Sequence, residues 1–153
     1  MSEATGLNFV MASYCLIGET DSFIAMLLAR FAQAHGLQPV QAQAGEEVYA
    51  LARQLRPVVI VLDGELPGAL RGWEAVREIR ADPDLARIPV ISCSWLNEPD
   101  ARALMAQAIA YLQKPELHYD EFVAALRLVE DLSLDAGPQC DLADATGRPS
   151  PLT

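Results

Sequence analysis

The sequence VVIVLDGELPG, residues 58–68, contains five consecutive apolar residues followed by an acid and a group of turn-forming residues. An unbroken apolar run of this length is typical of a strand that is buried on both faces of a parallel sheet. The acid, Asp63, comes at the carboxyl end of that strand, where open α/β sheets bind ligands. We therefore predict that Asp63 carries the chemistry of the protein, although an aspartate before a glycine is also a common turn former.

The overall composition indicates a globular protein that binds neither nucleic acid nor membranes. With 153 residues, the chain is long enough for one domain with a substantial core. A formal net charge of −10 without a basic stripe argues against direct binding of DNA or RNA. No apolar run approaches the roughly 18 residues of a membrane span, and the three cysteines are too widely spaced for a disulfide framework. We expect a soluble protein of the reducing cytoplasm.

Strand-like and helical patterns alternate on both sides of the central strand. Four further strands are predicted at residues 11–18, 37–42, 88–94 and 109–113, and Pro39 places the second of them near a sheet edge. The intervening helices have apolar residues at helical spacing. The residues expected to face the core are Phe23, Leu27 and Phe31, flanked by Ile24 and Leu28, in the first helix, Val48, Leu51 and Leu55 in the second, Trp73, Val76 and Ile79 in the third, and Phe122, Leu126 and Val129 in the last.

Helix-boundary residues support the same division of the chain. Asp21 or Ser22 can cap the first helix and Gly36 can end it, and Pro99 suits the first turn of the fourth helix. Strands that alternate with helices predict an α/β fold with a parallel sheet and helices on both faces. We place the domain at residues 11–132, after a leader at 1–10. Residues 133–153, rich in Gly, Pro, Asp, Ser and Thr, are predicted to form a disordered tail that can be removed without harm.

Four polar side chains end or directly follow four of the predicted strands. They are Glu19, Asp63, Ser94 and Lys114. Because the carboxyl ends of parallel strands share one edge, we expect these side chains to form a phosphoryl-handling site. Asp63 would be the nucleophile that forms an aspartyl phosphate, Ser94 would donate a hydrogen bond to a phosphoryl oxygen, and Lys114 would neutralise its charge. We expect the head of Lys114 to be solvated, so that Lys114→Ala leaves the fold intact.

The order and spacing of these motifs resemble the receiver domain of bacterial two-component response regulators over roughly residues 12–131. The matching pieces are the acids after the first strand, LDGELPG at residues 62–68, IPVISCS at 88–94 and YLQKP at 111–115. The resemblance implies a flavodoxin-like (βα)5 fold with strand order 2-1-3-4-5. It also implies that Asp63 is the phosphoacceptor, that Ser94 and Tyr111 form the switch, and that Lys114 precedes a cis Pro115.

By the same resemblance, the cofactor is Mg²⁺, held weakly by Glu19, Asp63 and the backbone carbonyl of Glu65, with Asp21 as a further candidate ligand. The family places two adjacent acids after the first strand, and this chain has one. Counting back from Gly36 pairs Glu19 with Thr20, whereas counting from the apolar strand pairs Gly18 with Glu19. The side chain of Glu65 would repel both a phosphoryl group and an attacking hydroxide. Trp95 stands where the family prefers a small residue, and it either shields the site or covers apolar surface.

The function that this resemblance implies is that of a single-domain response regulator in a phosphorelay, not an enzyme. A histidine kinase or phosphotransfer protein would phosphorylate Asp63, and an unidentified downstream protein would bind the face formed by helix four, strand five and helix five. A homodimer is left open.

One alternative function is that of a pseudo-receiver, which acts as an interaction module without phosphorylation. The other, a phosphohydrolase of the haloacid dehalogenase type, is disfavoured because Asp63 is far from the N-terminus and is followed by Glu65 rather than by a second Asp.

Overall fold

A computed structural model of the protein describes residues 13–131. Within this range, five strands alternate with five helices. The strands are β1 (Tyr14–Gly18), β2 (Gln38–Ala42), β3 (Val59–Leu62), β4 (Val90–Ser94) and β5 (Ala110–Gln113). The helices are α1 (Ser22–Ala34), α2 (Gly45–Leu55), α3 (Gly72–Ala81), α4 (Glu98–Leu104) and α5 (residues 119–131). The predicted leader and the predicted tail lie outside the described residues.

The five strands form one parallel sheet in the order β2-β1-β3-β4-β5, which confirms the predicted flavodoxin-like topology. The central strand β3 is buried along its whole length, as its unbroken apolar run predicts. β2, which contains Pro39, is an edge strand, and β5 is the other edge. None of the helices within residues 13–131 is long and apolar enough to cross a membrane.

Strands β3 and β4 begin later than the sequence predicts. The amide of Ile88 donates to the carbonyl of Leu85 at 3.0 Å, so Ile88 belongs to a turn. Pro89 has no amide hydrogen to donate, and β4 therefore begins at Val90. Val58, predicted as the first residue of the central strand, is 41% exposed and precedes β3.

The apolar stripe of α1 is rotated relative to the prediction. The buried residues are Ile24, Ala25, Leu28 and Ala32, whereas Phe23 is 62% exposed. Because the buried face of α1 contains Ala25 and Ala32, the ring of Phe23 points towards solvent. The prediction was wrong for Phe23, whereas Leu27 and Phe31 are partly buried and pack against the core. The flanking residues Ile24 and Leu28 form the centre of the buried face.

Two apolar clusters lie on opposite faces of the sheet. One packs under α1 and α5 and contains Cys15, Val61, Cys93 and Phe122, among others. The other packs under α2, α3 and the end of α4 and contains Leu62, Val76 and Met105. The sheet is thus covered on both faces, as the alternation of strands and helices predicts.

The loop after β3 is fixed against the start of α3. A Cβ atom on Gly72 would lie 2.1 Å from the carbonyl oxygen of Asp63, so only glycine permits this approach. The amide of Trp73 donates to the carbonyl of Gly64 at 3.0 Å, and the amide of Leu66 donates to the carbonyl of Asp63 at 3.0 Å. These backbone contacts hold Asp63 at a defined position at the end of the sheet.

Candidate functional site

Three charged side chains meet at the carboxyl edge of the sheet. Glu19 follows β1, Asp63 follows β3 and Lys114 follows β5. The amide of Asp63 donates to the carbonyl of Gly18 at 3.1 Å, and the amide of Lys114 donates to the carbonyl of Ser94 at 2.7 Å, so each residue continues the hydrogen bonding of its strand. Parallel strands end at one edge, which is how residues distant in the chain come together here.

Lys114 forms ion pairs with both acids. Its Nζ donates to Glu19 Oε1 at 2.7 Å and to Asp63 Oδ2 at 2.8 Å. Burial of the three groups is extensive, since Glu19 is 2% exposed, Asp63 9% and Lys114 2%. Burial alone opposes the charged ammonium, but hydrogen bonds and attraction to Asp63 and Glu19 outweigh it and raise the pKa of Lys114. The lysine is therefore a fixed cation between two carboxylates.

The burial of Lys114 contradicts one prediction. The sequence predicted a solvated ammonium beside the site and not one packed in the core. Instead, Lys114 turns inward over β4 towards the ends of β1 and β3, where two carboxylates compensate for its desolvation. This burial argues against the expectation that Lys114→Ala leaves the fold intact. The peptide bond between Lys114 and Pro115 is cis, as the family resemblance implied.

Every oxygen of the two carboxylates has a donor. Besides the two bonds from Lys114, Glu19 Oε2 accepts from the amide of Asp21 at 3.0 Å, and Asp63 Oδ1 accepts from the amide of Glu65 at 2.8 Å. A buried carboxylate with both oxygens bonded is held in one orientation. Both carboxylates are thus preorganised in this structure.

Ser94, predicted as the switch hydroxyl, lies at the same edge and is 1% exposed. Its Oγ accepts a hydrogen bond from the amide of Leu96 at 3.0 Å. A serine hydroxyl that accepts one bond still has its own hydrogen to donate. The structure therefore places a hydroxyl donor on the neighbouring strand to Asp63.

Tyr111, predicted as the second switch residue, is engaged with helix α4. Its hydroxyl donates to the carbonyl of Met105 at 2.7 Å, and the guanidinium of Arg102 lies 4.4 Å from the centre of its ring. The pKa of Tyr111 is raised, chiefly by burial. These contacts connect β5 to the carboxyl end of α4 and do not include Ser94.

The remaining candidate acids are not in the charged cluster. The side chain of Asp21 caps α1, since its Oδ1 accepts from the amides of Phe23 at 2.9 Å and Ile24 at 3.0 Å. Glu65 and Thr20 are exposed.

A Cβ atom on Gly18 would lie 2.5 Å from Leu62 Cδ1, so position 18 faces the core and offers no room for an acid. The first of the two alignments, in which Thr20 stands at the second acid position, is the one that the structure supports.

The donor set at this edge is small for a metal ion. No group of three or more His, Cys, Asp or Glu side chains that could hold a metal occurs among residues 13–131. Mg²⁺ commonly uses only one or two carboxylates and completes its shell with water and phosphate oxygens. Glu19 and Asp63 therefore fit Mg²⁺ in number and chemistry, although both already bind the ammonium of Lys114.

Trp95 is the residue at this site whose role the sequence left open. The Nζ atom of Lys114 lies 5.3 Å from the centre of its ring. The indole is 53% exposed, so a ring in contact with the buried ammonium also reaches solvent. The only signal in the sequence was a large aromatic residue directly after Ser94.

Fold and site together define a doubly wound α/β domain with a buried carboxylate–lysine cluster at the carboxyl edge of its sheet. The family model described as the response regulator receiver domain matches residues 15–127. This chain belongs to that family. Receiver domains are signalling modules of two-component systems that bind Mg²⁺, are phosphorylated, and interact with histidine kinases or phosphotransfer proteins.

Individual relatives are similar over most of the described range. Response regulator GacA of Pseudomonas protegens is 41% identical over 121 residues, which are 78% of this chain and 55% of GacA. Protein PilH of Pseudomonas aeruginosa is 35% identical over 81 residues, which are 53% of this chain and 65% of PilH. The chain thus spans about half the length of the GacA protein that it matches.

Solved structures share the fold at lower identity. The receiver domain of sensor histidine kinase PA1611 from Pseudomonas aeruginosa, described with a magnesium ion coordinated in its active site cleft, superposes with a TM-score of 0.67 at 24% identity. That match covers 78% of this chain and 98% of the other. Chemotaxis protein CheY4 of Vibrio cholerae matches with a TM-score of 0.67 at 22% identity, covering 78% of this chain and 99% of that one.

Proposed function

We propose that Asp63 accepts a phosphoryl group from a histidine kinase or phosphotransfer protein and that the chain passes the signal on through protein contacts. In the transfer, a carboxylate oxygen of Asp63 forms a bond to phosphorus while the phosphorus–nitrogen bond of a phosphohistidine donor breaks. The histidine nitrogen keeps the bonding electron pair. The observation that carries this proposal is the 2.8 Å contact between Lys114 Nζ and Asp63 Oδ2 in a buried cluster.

The surrounding groups have complementary roles in this proposal. The ammonium of Lys114 neutralises charge that develops on the phosphoryl oxygens, and the hydroxyl of Ser94 donates to one of them. Glu19, Asp63 and the backbone carbonyl of Glu65 would hold Mg²⁺, which supplies further positive charge at the phosphoryl group. Asp21, also a candidate ligand by sequence, has its Oδ1 committed to capping α1.

The signal would leave the site through Ser94 and Tyr111. In this proposal, the hydroxyl of Ser94 moves towards the phosphoryl group, and Tyr111 rearranges with it. Because Tyr111 donates to the carbonyl of Met105 at the end of α4, its movement would alter the surface formed by α4, β5 and α5. We propose this surface as the contact for a downstream protein in the cytoplasm.

One observation favours a second candidate function, a phosphorylation-independent interaction module. All four oxygens of Glu19 and Asp63 already have N–H donors, and the second acid of the family is replaced by an exposed Thr20. A site that is satisfied in this way is stable without a ligand. The chain would then present one fixed binding surface.

An intact-mass measurement separates the two candidates. The protein is exposed to acetyl phosphate with and without Mg²⁺, and the proposal expects the mass of one phosphoryl group to be added only with Mg²⁺. Asp63→Asn is the matched control, since it keeps the size of the side chain and removes the nucleophile. A wild-type protein that stays folded but gains no mass at high Mg²⁺ and phosphodonor would leave the interaction module. Turnover of a chromogenic phosphate ester would instead support the phosphohydrolase.

A further inference from the structure

An apolar groove lies at the amino edge of the sheet, at the end of the domain opposite the charged cluster. Its volume is about 460 Å³. Val59, the first residue of β3, lines the groove, whereas Asp63 follows the last residue of that strand. The apolar lining is formed by Leu37, Val58, Val59, Leu126 and Val129. Three of these residues belong to the cluster under α1 and α5, so the groove extends that core to the surface.

The groove exposes apolar side chains to solvent between the ends of two helices. Val58 is 41% exposed, and Leu37 is half-buried. His35 at the end of α1 and Glu130 in α5 also line the groove, and His35 Nε2 lies 3.4 Å from Glu130 Oε2. An exposed apolar surface of this kind is typical of a site that binds another apolar segment.

Residues 7–12 join the domain directly beside this groove. Their sequence is LNFVMA, in which five of the six residues are apolar and none is charged. The segment lies outside the described residues, but the chain that it joins is described. The carbonyl of Ser13 accepts from the amide of Gln38 at 2.8 Å, and the carbonyl of Tyr14 accepts from the amide of Val58 at 3.0 Å. The chain therefore enters β1 next to Val58, at the edge of the groove.

We propose that residues 7–12 pack into this groove and close the core under α1 and α5. Six residues span up to about 20 Å when extended, which is ample for a groove of this volume. Packing of Phe9, Val10 and Met11 against the groove removes apolar surface of both from water. Residues 7–10 would then belong to the domain and would not form a separate leader.

The other chain segment that could reach the groove is the one after α5, and it is less complementary. Residues 132–153 contain three aspartates and one arginine. Glu130 lies at the rim of the groove, so its carboxylate repels an acidic segment more than the uncharged residues 7–12.

Photocrosslinking in the whole chain tests which segment occupies the groove. Phe9 is replaced by p-benzoylphenylalanine in an equal mixture of ¹⁵N-labelled and unlabelled protein, and the products are mapped by peptide mass spectrometry. We expect crosslinks within one chain to peptides that contain Val58 or Leu126. The matched control places the same probe at Leu134. Groove crosslinks from position 134 and not from position 9 would identify the C-terminal segment as the occupant. Groove crosslinks that join labelled to unlabelled chains would identify a second copy. Either result, or an absence of groove crosslinks from position 9, would overturn the proposal.

A double-mutant cycle tests the same contact through stability. Phe9→Ala and Val58→Ala should each lower the urea midpoint of unfolding, and the double variant should lose less than the sum, because each substitution removes the same contact. Leu128→Ala is the control partner, since Leu128 is 46% exposed on α5 and is not among the residues that line the groove. Its effect should add to that of Phe9→Ala. Additive effects of Phe9→Ala and Val58→Ala would contradict the contact. Neither test involves phosphorylation, so both are independent of the proposed function.

Discussion

Lys114 is the residue on which the electrostatics of the site depend. It brings one positive charge to two buried carboxylates, and the three groups are each at most 9% exposed. Removing one partner of a buried ion pair is costly because the other charges stay buried without compensation. The cluster is therefore a determinant of stability as well as a candidate site for chemistry.

We predict that Lys114→Met lowers the free energy of unfolding by about 3–5 kcal/mol, since methionine keeps much of the side-chain volume but leaves Glu19 and Asp63 unpaired. Urea unfolding of wild type and variant measures this difference. Arg102→Met is the matched control. Its guanidinium is exposed, so solvent screens its ion pair with Glu98 and the loss of stability should be much smaller than in Lys114→Met. Equal stability of Lys114→Met and Arg102→Met would show that the buried pairs contribute little.

Position 20 is where the chain lacks the second acid of its family. We predict that Thr20→Asp tightens Mg²⁺ binding, because an added carboxylate strengthens attraction to a hard cation. Stability without metal should fall slightly, since the new charge repels those of Glu19 and Asp63. Calorimetric titration with Mg²⁺ measures the affinity, and Thr20→Asn provides a neutral control of similar size. Identical affinities for wild type and Thr20→Asp would mean that position 20 does not face the ion.

At the scale of single elements, α1 shows how a capping residue and a site residue are linked. Asp21 accepts two amide hydrogens at the start of α1 through its side chain. Its own amide donates to Glu19 Oε2 at 3.0 Å. The start of the helix thus supports the orientation of a buried carboxylate in the site.

We predict that Asp21→Ala lowers the free energy of unfolding by about 1 kcal/mol, whereas Asp21→Asn changes it by only a few tenths, because Asn also caps helices well. Chemical denaturation compares the two. Mg²⁺ affinity adds a second measurement: if Asp21 acts only as a cap, Asp21→Asn should bind Mg²⁺ as wild type does. A large loss of affinity in Asp21→Asn would make Asp21 a metal ligand after all.

The boundaries of elements were predictable where a local signal is strong. Gly36 has a φ of +83°, and Asn97 and Pro99 mark the start of α4, so these boundaries follow from residue type alone. The sequence did not predict which residues of α1 face the core, because the alanines at positions 25 and 32 give no strong hydrophobic signal and yet are buried. Which residue of a helix touches the sheet depends on how closely the two pack, and that is a tertiary property.

The site was predictable in its membership but not in its packing. Parallel topology brings to one edge the residues that end or follow strand-like runs, which are Glu19, Asp63, Ser94 and Lys114. The burial of Lys114 and its contact with Trp95 depend on the path of a long side chain across β4, which no sequence pattern encodes. Sequence reasoning therefore identified the groups that meet and misjudged how far they are removed from water.

On the scale of the whole molecule, the sheet separates two apolar clusters, one on each face. Cys15 and Cys93 lie in the cluster under α1 and α5, on strands separated by β3, and both are free thiols. Burial raises the pKa of each to about 12. Raised values of this size keep both thiols protonated and unreactive in the folded protein.

We predict that folding stability falls as the pH rises above 9. In the unfolded chain each thiol releases its proton near its ordinary pKa of 9.0, whereas the folded protein retains it up to about pH 12. Between these two pKa values the unfolded state binds fewer protons than the folded state. Each thiol therefore lowers the free energy of unfolding by about 1.4 kcal/mol per pH unit. Urea midpoints between pH 8 and 10.5 measure the slope, which should be smaller in Cys15→Ala. A slope that this substitution leaves unchanged would contradict the assignment to buried thiols.

Both oxygens of Asp63 and both oxygens of Glu19 are bonded to groups of the protein itself, and one of those groups is a cation. The ammonium of Lys114 is therefore an internal counterion for both carboxylates. Folding of the protein should not require a metal supply, and a chelator should leave the melting temperature unchanged. In the proposed function, Mg²⁺ and a phosphoryl group would bind to a site that is already folded and electrically balanced, so their binding would be a reversible event in signalling and not a step in folding.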